Sequence, residues 1–267
     1  MTQVTLLDGG MGQELILRAG DQPTPLWSTQ VMMDHPGMVE GVHRDFFAAG
    51  ATIATVNSYA IHRDRLEGTG AEGQFEALHA SAIAEAKAAQ VAHGSGLIAG
   101  SIGPLRASYR PDLHPASELA VPLFSEVATL LAKGCDLLIL ETVASVAHAR
   151  DALSAARETA LPVWLSVTVS DTDGTKLRSG EPLNDVLEIA AEADAVTIIG
   201  RRAEALAETD GGRGIICLQV DVTDEAAVND LFAKPFDVVV ANAGGGGVEA
   251  FVHGDCGVKQ QLSLLGQ

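Results

Sequence analysis

Basic residues are scarce in this chain, with 17 Lys and Arg against 35 Asp and Glu in 267 residues and a formal net charge of -18. Nucleic acids and anionic membranes attract basic surfaces, so this balance disfavours both as partners and favours a small-molecule ligand. The sequence also lacks an apolar run of the roughly 18 residues that cross a bilayer, and it opens without the basic and apolar parts of a secretion signal. We therefore expect a cytoplasmic protein without membrane contact.

Cysteine is equally sparse, with three residues at Cys135, Cys217 and Cys256 and no pair at CxxC spacing. This excludes a disulfide framework and a self-contained zinc knuckle. Cys135 precedes a predicted strand and Cys217 lies early in another, so both are far from the carboxyl ends of their strands. We interpret these two as buried structural thiols.

Apolar residues, by contrast, make up 47% of the chain and recur as short β-rich runs between alanine-rich helical stretches. The eight predicted strands are Thr5 to Leu7, Thr52 to Val56, Leu97 to Ser101, Leu137 to Leu140, Val163 to Val169, Val196 to Ile199, Ile215 to Val220 and Val238 to Ala241. The main predicted helices are Met38 to Ala49, Glu72 to Ala92, Ala116 to Lys133, Ala144 to Thr159, Leu183 to Glu192, Ala203 to Glu208 and Glu225 to Ala233.

Continuous apolar strands that alternate with helices are typical of parallel strands buried on both faces. Eight such units predict an α/β fold with a (βα)8 TIM-type barrel. The units after the fifth strand are short, so we expect the barrel to be irregular or incomplete there. A doubly wound sheet is the alternative, and a partial barrel with an attached three-stranded half-sheet is the rival arrangement of the last strands.

Polar groups follow several of these strands, where a (βα)8 barrel places its ligand site. Asp8 and the small residues Gly9 and Gly10 precede Met11 at the start of a helix, and backbone without side chains allows amides to approach a ligand closely. Asn57 and Tyr59 follow the second strand.

Glu141 ends the fourth strand. A carboxylate at the end of a buried strand is costly without a cationic partner, which predicts an ammonium group or a metal ion there. A salt bridge to a neighbouring Arg is the structural alternative.

The ordered phrases LLDGGMGQEL, LWS, AGATIATVNSY, GSIGP, GCDLLILET and DGTKLRSGEPL together resemble the homocysteine S-methyltransferase family over about residues 4–194. The resemblance implies a barrel in which zinc activates the homocysteine thiol for attack on a methyl donor such as S-methylmethionine, betaine or a methylated folate, as part of methionine biosynthesis. It also implies that Asp8, Gly9, Gly10 and Met11 hold the amino acid, that Glu141 meets its ammonium group, and that Asn57 and Tyr59 line the pocket. Asp8, Tyr59 and Glu141 are the candidate catalytic residues.

The family's zinc is held by three cysteines, and here the sequence departs from that pattern. No cysteine lies near Ile199, where the first is expected, and His253-Gly254-Asp255-Cys256-Gly257 matches the later cysteine pair at Cys256 alone. His253 and Asp255 are the further candidate ligands, since both residue types bind zinc. The resemblance thus implies a compromised metal site, which puts methyl transfer in doubt.

From Ala195 to about Gly244 the chain resembles short-chain dehydrogenases instead. That resemblance implies an NADP site in which six residues contact the cofactor: Arg201, Arg202, Asp221, Val222, Asn242 and Gly244. The glycine-rich phosphate turn that should precede this segment is absent, and no Tyr follows Gly244 to act as an acid.

We therefore divide the chain into a methyltransferase-like portion, residues 1–194, and a dehydrogenase-like segment and tail, residues 195–267, that completes the same domain. The leading hypothesis is methyl transfer to a thiol such as homocysteine. An NADP-binding module and a non-catalytic barrel with an amino-acid pocket are the alternatives.

Overall fold

The computed structural model describes most of the first 190 residues and two short later strands. The described residues are 6–20, 24, 26–170, 172–173, 175–190, 197–200 and 216–219. The α-helices are α1 (Met11–Ala19), α2 (Ser28–Asp34), α3 (Met38–Ala48), α4 (Arg63–Leu66), α5 (Phe75–His93), α6 (Ser117–Leu131), α7 (Val146–Arg157) and α8 (Asn184–Ala190). The strands are β1 (Ile53–Thr55), β2 (Leu97–Ile102), β3 (Leu137–Val143), β4 (Val163–Val167), β5 (Thr197–Gly200) and β6 (Ile216–Gln219).

Strands β1 to β4 form one parallel sheet in the order of the chain. Leu7 extends it through a parallel bridge to Ile53, so the predicted first strand also lies beside β1. A doubly wound sheet reverses its strand order at a switch point, whereas a barrel wall adds each new strand on the same side. The five described segments show no reversal, which confirms the α/β fold and the barrel type of topology.

The two faces of this sheet bury different residues. One face carries a small cluster of Ile53, Ala99, Leu137 and Ile139, with Leu7 and Trp164 packed against it. Alternate residues of the same strands join the larger core against the helices. Because successive strand residues point to opposite faces, this two-sided burial is what a barrel wall requires. We call the face with the small cluster the inner face.

The helices cover the other face, and their local sequence explains where they begin and end. The side chain of Ser145 accepts a hydrogen bond from the backbone N–H of His148 and so caps α7. Gly94 ends α5 at a φ of 87°, a conformation that favours glycine. Two short helices, α2 and α4, were not predicted from the sequence. They have seven and four residues, which is too short for a helical periodicity of apolar residues to be recognised.

Strand β5 pairs with β6 in parallel, which confirms two of the three strands predicted in the last part of the chain. The predicted strand Val238 to Ala241 and the proposed boundary at residue 194 lie outside the described residues. In the part of the chain that the structure describes, no helix is long and apolar enough to cross a membrane.

Candidate functional site

The inner face changes from apolar to polar at the carboxyl ends of its strands. Ile53, Ala99 and Ile139 belong to the small inner cluster. Two residues further along the same strands, and therefore on the same face, lie Thr55, Ser101 and Glu141. Their side chains form the floor of the candidate site.

Asp8 is fixed at this floor by hydrogen bonds from β1. The backbone N–H of Thr55 donates to Asp8 Oδ2 at 2.6 Å, and the Thr55 hydroxyl donates to Oδ1 at 2.5 Å. The buried His43 ring of α3 places its Nδ1 3.7 Å from Asp8 Oδ2. Asp8 is 8% exposed, and the two bonds from Thr55 hold its carboxylate in one orientation.

Glu141 lies across the floor from Asp8 and is partly buried. Ser101 Oγ donates to Glu141 Oε1 at 2.6 Å. Burial raises the pKa of Glu141 from 4.5 to about 7, the Ser101 hydrogen bond opposes this rise, and the negative charge of Asp8 adds to it. Neither carboxylate forms an ion pair with Arg or Lys among the described residues, so the salt-bridge alternative for Glu141 finds no partner there. Two neighbouring carboxylates in this state favour a cation.

The backbone of β3 is irregular where it presents Glu141. The strand's register shifts between Leu140 and Val143, and Thr142 has a φ of 56°. A β-branched residue rarely adopts this left-handed conformation, and bulges of this kind often lie beside active sites. The sequence gives no signal for this distortion, since Thr142 looks like any other strand residue.

Tyr59 lies in the loop after β1 and contacts the bulge of β3. Its hydroxyl donates to Thr142 Oγ1 at 3.0 Å and lies 2.8 Å from Ser108 Oγ. A Cβ built on Gly103 would lie 2.4 Å from the Tyr59 carbonyl oxygen, so only glycine allows the loop after β2 to pack this closely.

The other predicted residues lie around the same mouth. Asn57 is buried and its Nδ2 donates to the carbonyl of Ser28 at 3.2 Å, so its amide orders the start of α2. Gly9 and Gly10 are partly exposed between Asp8 and α1, and Met11 is buried as the first residue of α1. Sequence reasoning missed four residues of the floor and its surroundings: His43, Thr55, Ser101 and Thr142.

The predicted metal and nucleotide residues cannot be placed beside this floor. His253, Asp255 and Cys256 lie outside the described residues, as do the six candidate NADP contacts at Arg201, Arg202, Asp221, Val222, Asn242 and Gly244. Among the described residues, no group of three His, Cys, Asp or Glu side chains could hold a metal ion. Cys135 is buried as predicted, and burial raises the pKa of its thiol to about 12, so it is a structural thiol.

Comparison with known proteins identifies one family. The family model for homocysteine S-methyltransferase matches residues 5–210. The chain is 34% identical to a homocysteine S-methyltransferase from Escherichia coli (strain K12) over 227 residues, which covers 77% of this chain and 71% of the relative. A homocysteine S-methyltransferase from Bacillus subtilis (strain 168) is 27% identical over 219 residues, covering 73% and 67%.

A solved structure shows the same likeness. The homocysteine methyltransferase MmuM from Escherichia coli, in its metallated form, superposes with a TM-score of 0.69 at 25% identity and covers 81% of this chain and 90% of that chain. The family match runs to residue 210 and so includes the start of the segment from Ala195 that resembles short-chain dehydrogenases. These comparisons do not support that second resemblance.

Proposed function

The chain belongs to the homocysteine S-methyltransferase family, and from that premise we propose that it holds homocysteine between Asp8 and Glu141 for transfer of a methyl group to the thiol. The observation that carries this proposal is the pair of carboxylates on one inner face, without Arg or Lys partners among the described residues. A free amino acid brings the ammonium group that such a pair favours.

The two carboxylates have different tasks in this proposal. Asp8 is held by Thr55 and supplies a fixed acceptor for the ammonium group. Glu141, with a pKa of about 7, becomes charged when the cation arrives, because the ligand's positive charge favours the ionised carboxylate. The small residues Gly9 and Gly10 leave backbone amides open to the carboxylate end of the substrate.

The thiol end requires a group that the described residues do not supply. When bound by protein thiolates, zinc lowers the pKa of a coordinated thiol and so supplies the nucleophile. In this chain Cys256 would hold it, with His253 and Asp255 as the other available ligands. The metallated form of the Escherichia coli relative supports a metal. Because two of the three expected thiolates are missing, we expect methyl transfer to be slow.

Calorimetric titration with homocysteine tests the amino-acid site directly. We expect binding to the native chain and clear weakening in Asp8→Asn and Glu141→Gln. Glu118→Gln is the matched control, since Glu118 is exposed on α6 and is not one of the residues of the floor. Equal affinities in all four proteins would overturn the proposed site.

A non-catalytic barrel that keeps the amino-acid pocket is the second candidate, favoured by the missing cysteines. The two candidates differ in metal content. Zinc near one equivalent per chain, after growth with zinc, supports the methyltransferase. Zinc-free protein that binds homocysteine and transfers no methyl group supports the non-catalytic barrel.

A further inference from the structure

A partly buried chain of hydrogen bonds runs from α4 to the bulge beside Glu141. Arg65 Nη2 lies 3.3 Å from Ser108 Oγ, Ser108 Oγ lies 2.8 Å from Tyr59 Oη, and Tyr59 Oη lies 3.0 Å from Thr142 Oγ1. Its four members come from α4, the loop after β2, the loop after β1 and β3. The chain therefore joins four separate segments around the site.

The proton positions in this chain are determined by its two ends. A guanidinium group can only donate, so Arg65 gives a proton to Ser108 Oγ. The Tyr59 hydroxyl has one hydrogen, and it donates this hydrogen to Thr142 Oγ1. Ser108 must then donate its own hydrogen to Tyr59, and all three bonds point the same way.

Arg65 itself is anchored rather than free to move. Its Nε donates to the carbonyl of Pro104 at 3.0 Å, and its guanidinium carbon lies 5.5 Å from the centre of the Tyr59 ring. The planar group thus contacts both the loop that carries Ser108 and the face of Tyr59. Lysine could not reproduce this set of contacts, because it lacks the planar fork of donors.

From this geometry we infer that Arg65 is a positioning residue, which acts through Ser108 and Tyr59 to hold the Thr142 bulge and thereby the Glu141 carboxylate. Chains of hydrogen bonds that point one way polarise each other, so a cation at the first position strengthens the later bonds. The Thr142 hydroxyl accepts from Tyr59 and is the last member of this chain.

Charges on two sides of Tyr59 act on its hydroxyl. Burial raises the pKa of Tyr59, whereas hydrogen bonds to Ser108 and Thr142 and the positive charge of Arg65 lower it, and the Glu141 charge adds to the rise. Asp64 also acts on Arg65 through its charge, and its carboxylate accepts a hydrogen bond from the backbone N–H of Arg106 at 2.7 Å. Loss of Arg65 should therefore alter the electronic state of the Tyr59 hydroxyl even if the fold is unchanged.

The first experiment needs no ligand and reads Tyr59 alone. The chain has two tyrosines, so a Tyr109→Phe background labelled with carbon-13 at the tyrosine Cζ gives a single resonance that reports hydrogen bonding and ionisation of the Tyr59 hydroxyl. We expect this resonance to shift in Arg65→Met and in Ser108→Ala. Arg63→Met is the matched control, because Arg63 lies on the same helix but is paired with Glu76 and Glu126.

The inference fails if the resonance keeps its position in folded Arg65→Met, or if Arg63→Met shifts it equally. Should Arg65→Met fail to fold, Ser108→Ala removes the bonds of Ser108 to both Arg65 and Tyr59, and an unchanged resonance in that variant overturns the inference. A purely structural role for Arg65 would lower stability without this spectroscopic change.

The second experiment rests on the proposed function and uses homocysteine affinity. Arg65→Met and Tyr59→Phe should each weaken binding about tenfold, the order expected for one hydrogen bond in a linked chain. If Arg65 acts through Tyr59, the double variant is also about tenfold weaker, whereas independent roles predict about a hundredfold. Additive losses would overturn the inference. Absence of homocysteine binding by the native protein would overturn the proposed function. The tyrosine resonance would still test the role of Arg65, because that experiment needs no ligand.

Discussion

Replacement of Glu141 by Gln should make the protein more stable at pH 8 and a weaker binder of homocysteine. Gln keeps the shape of the side chain and can still accept the 2.6 Å hydrogen bond from Ser101. What it removes is a partly buried negative charge that Asp8 repels. Stability and binding are therefore expected to change in opposite directions, which is typical of a residue kept for function.

The stability change follows from the pKa. A carboxyl group whose pKa rises from 4.5 to about 7 on folding binds its proton more tightly in the folded state. The native chain is thus destabilised as pH rises from 4.5 through 7, by up to about 3 kcal/mol above that range. Glu141→Gln lacks this penalty, so its advantage in free energy of unfolding should be absent near pH 4.5, grow as the pH rises and be complete above pH 7.

The binding change follows from the lost charge. A hydrogen bond between a charged pair contributes about 1.5 to 3 kcal/mol, so Glu141→Gln should weaken homocysteine binding about 10- to 150-fold at pH 8. In the native chain a carboxyl group with a pKa of about 7 is about tenfold less ionised at pH 6 than at pH 8. The affinity of the native chain for homocysteine should therefore fall about tenfold from pH 8 to pH 6, whereas the affinity of Glu141→Gln should stay the same.

Urea unfolding and calorimetric titration, each at pH 5, 6, 7 and 8, measure both changes. Asp8→Asn is the informative comparison, since Asp8 raises the pKa of Glu141 and its loss should move the pH dependence of binding to lower pH. A Glu141→Gln protein that is less stable than the native chain at pH 8, or that keeps the pH-dependent binding, would refute the reasoning.

Two further predictions concern packing and acid stability. Gly103→Ala should destabilise the fold by about 1 to 3 kcal/mol in urea unfolding, because its Cβ would clash with the Tyr59 carbonyl, while Gly73→Ala, with open space around it, should stay near the native value. Burial lowers the pKa of His148 to about 3, so its contribution to stability is present above about pH 6.5 and is lost as pH falls below that. His148→Phe should reduce the loss of stability between pH 6 and 4, whereas replacement of the exposed His93 by Phe should not. A His148→Phe protein that loses as much stability as the native chain over this pH range would contradict the prediction.

The strands and the two carboxylates were predictable because they follow from simple patterns. Apolar runs between helical stretches located β1 to β6, and the carboxylates Asp8 and Glu141 stand where two of these runs end. Thr55 and Ser101 lie inside predicted strands, and counting by twos from Ile53 and Ala99 would have placed them on the inner face.

Other parts of the site depend on information that a single sequence does not contain. The positive φ of Thr142 is imposed by the surrounding strands, against the preference of a β-branched residue. Arg65 lies on a four-residue helix with no readable periodicity. Its bond to Ser108 spans 43 residues of the chain, and the bond of Tyr59 to Thr142 spans 83. Such contacts arise from tertiary packing alone.

The most direct test of the central claim is formation of methionine from homocysteine and S-methylmethionine by zinc-supplied protein, measured beside Glu141→Gln. The account predicts slow methionine formation by the native chain, above the rate without protein, and a fall to that background in Glu141→Gln. Equal rates in the two proteins, or no methionine from the native chain, would contradict it.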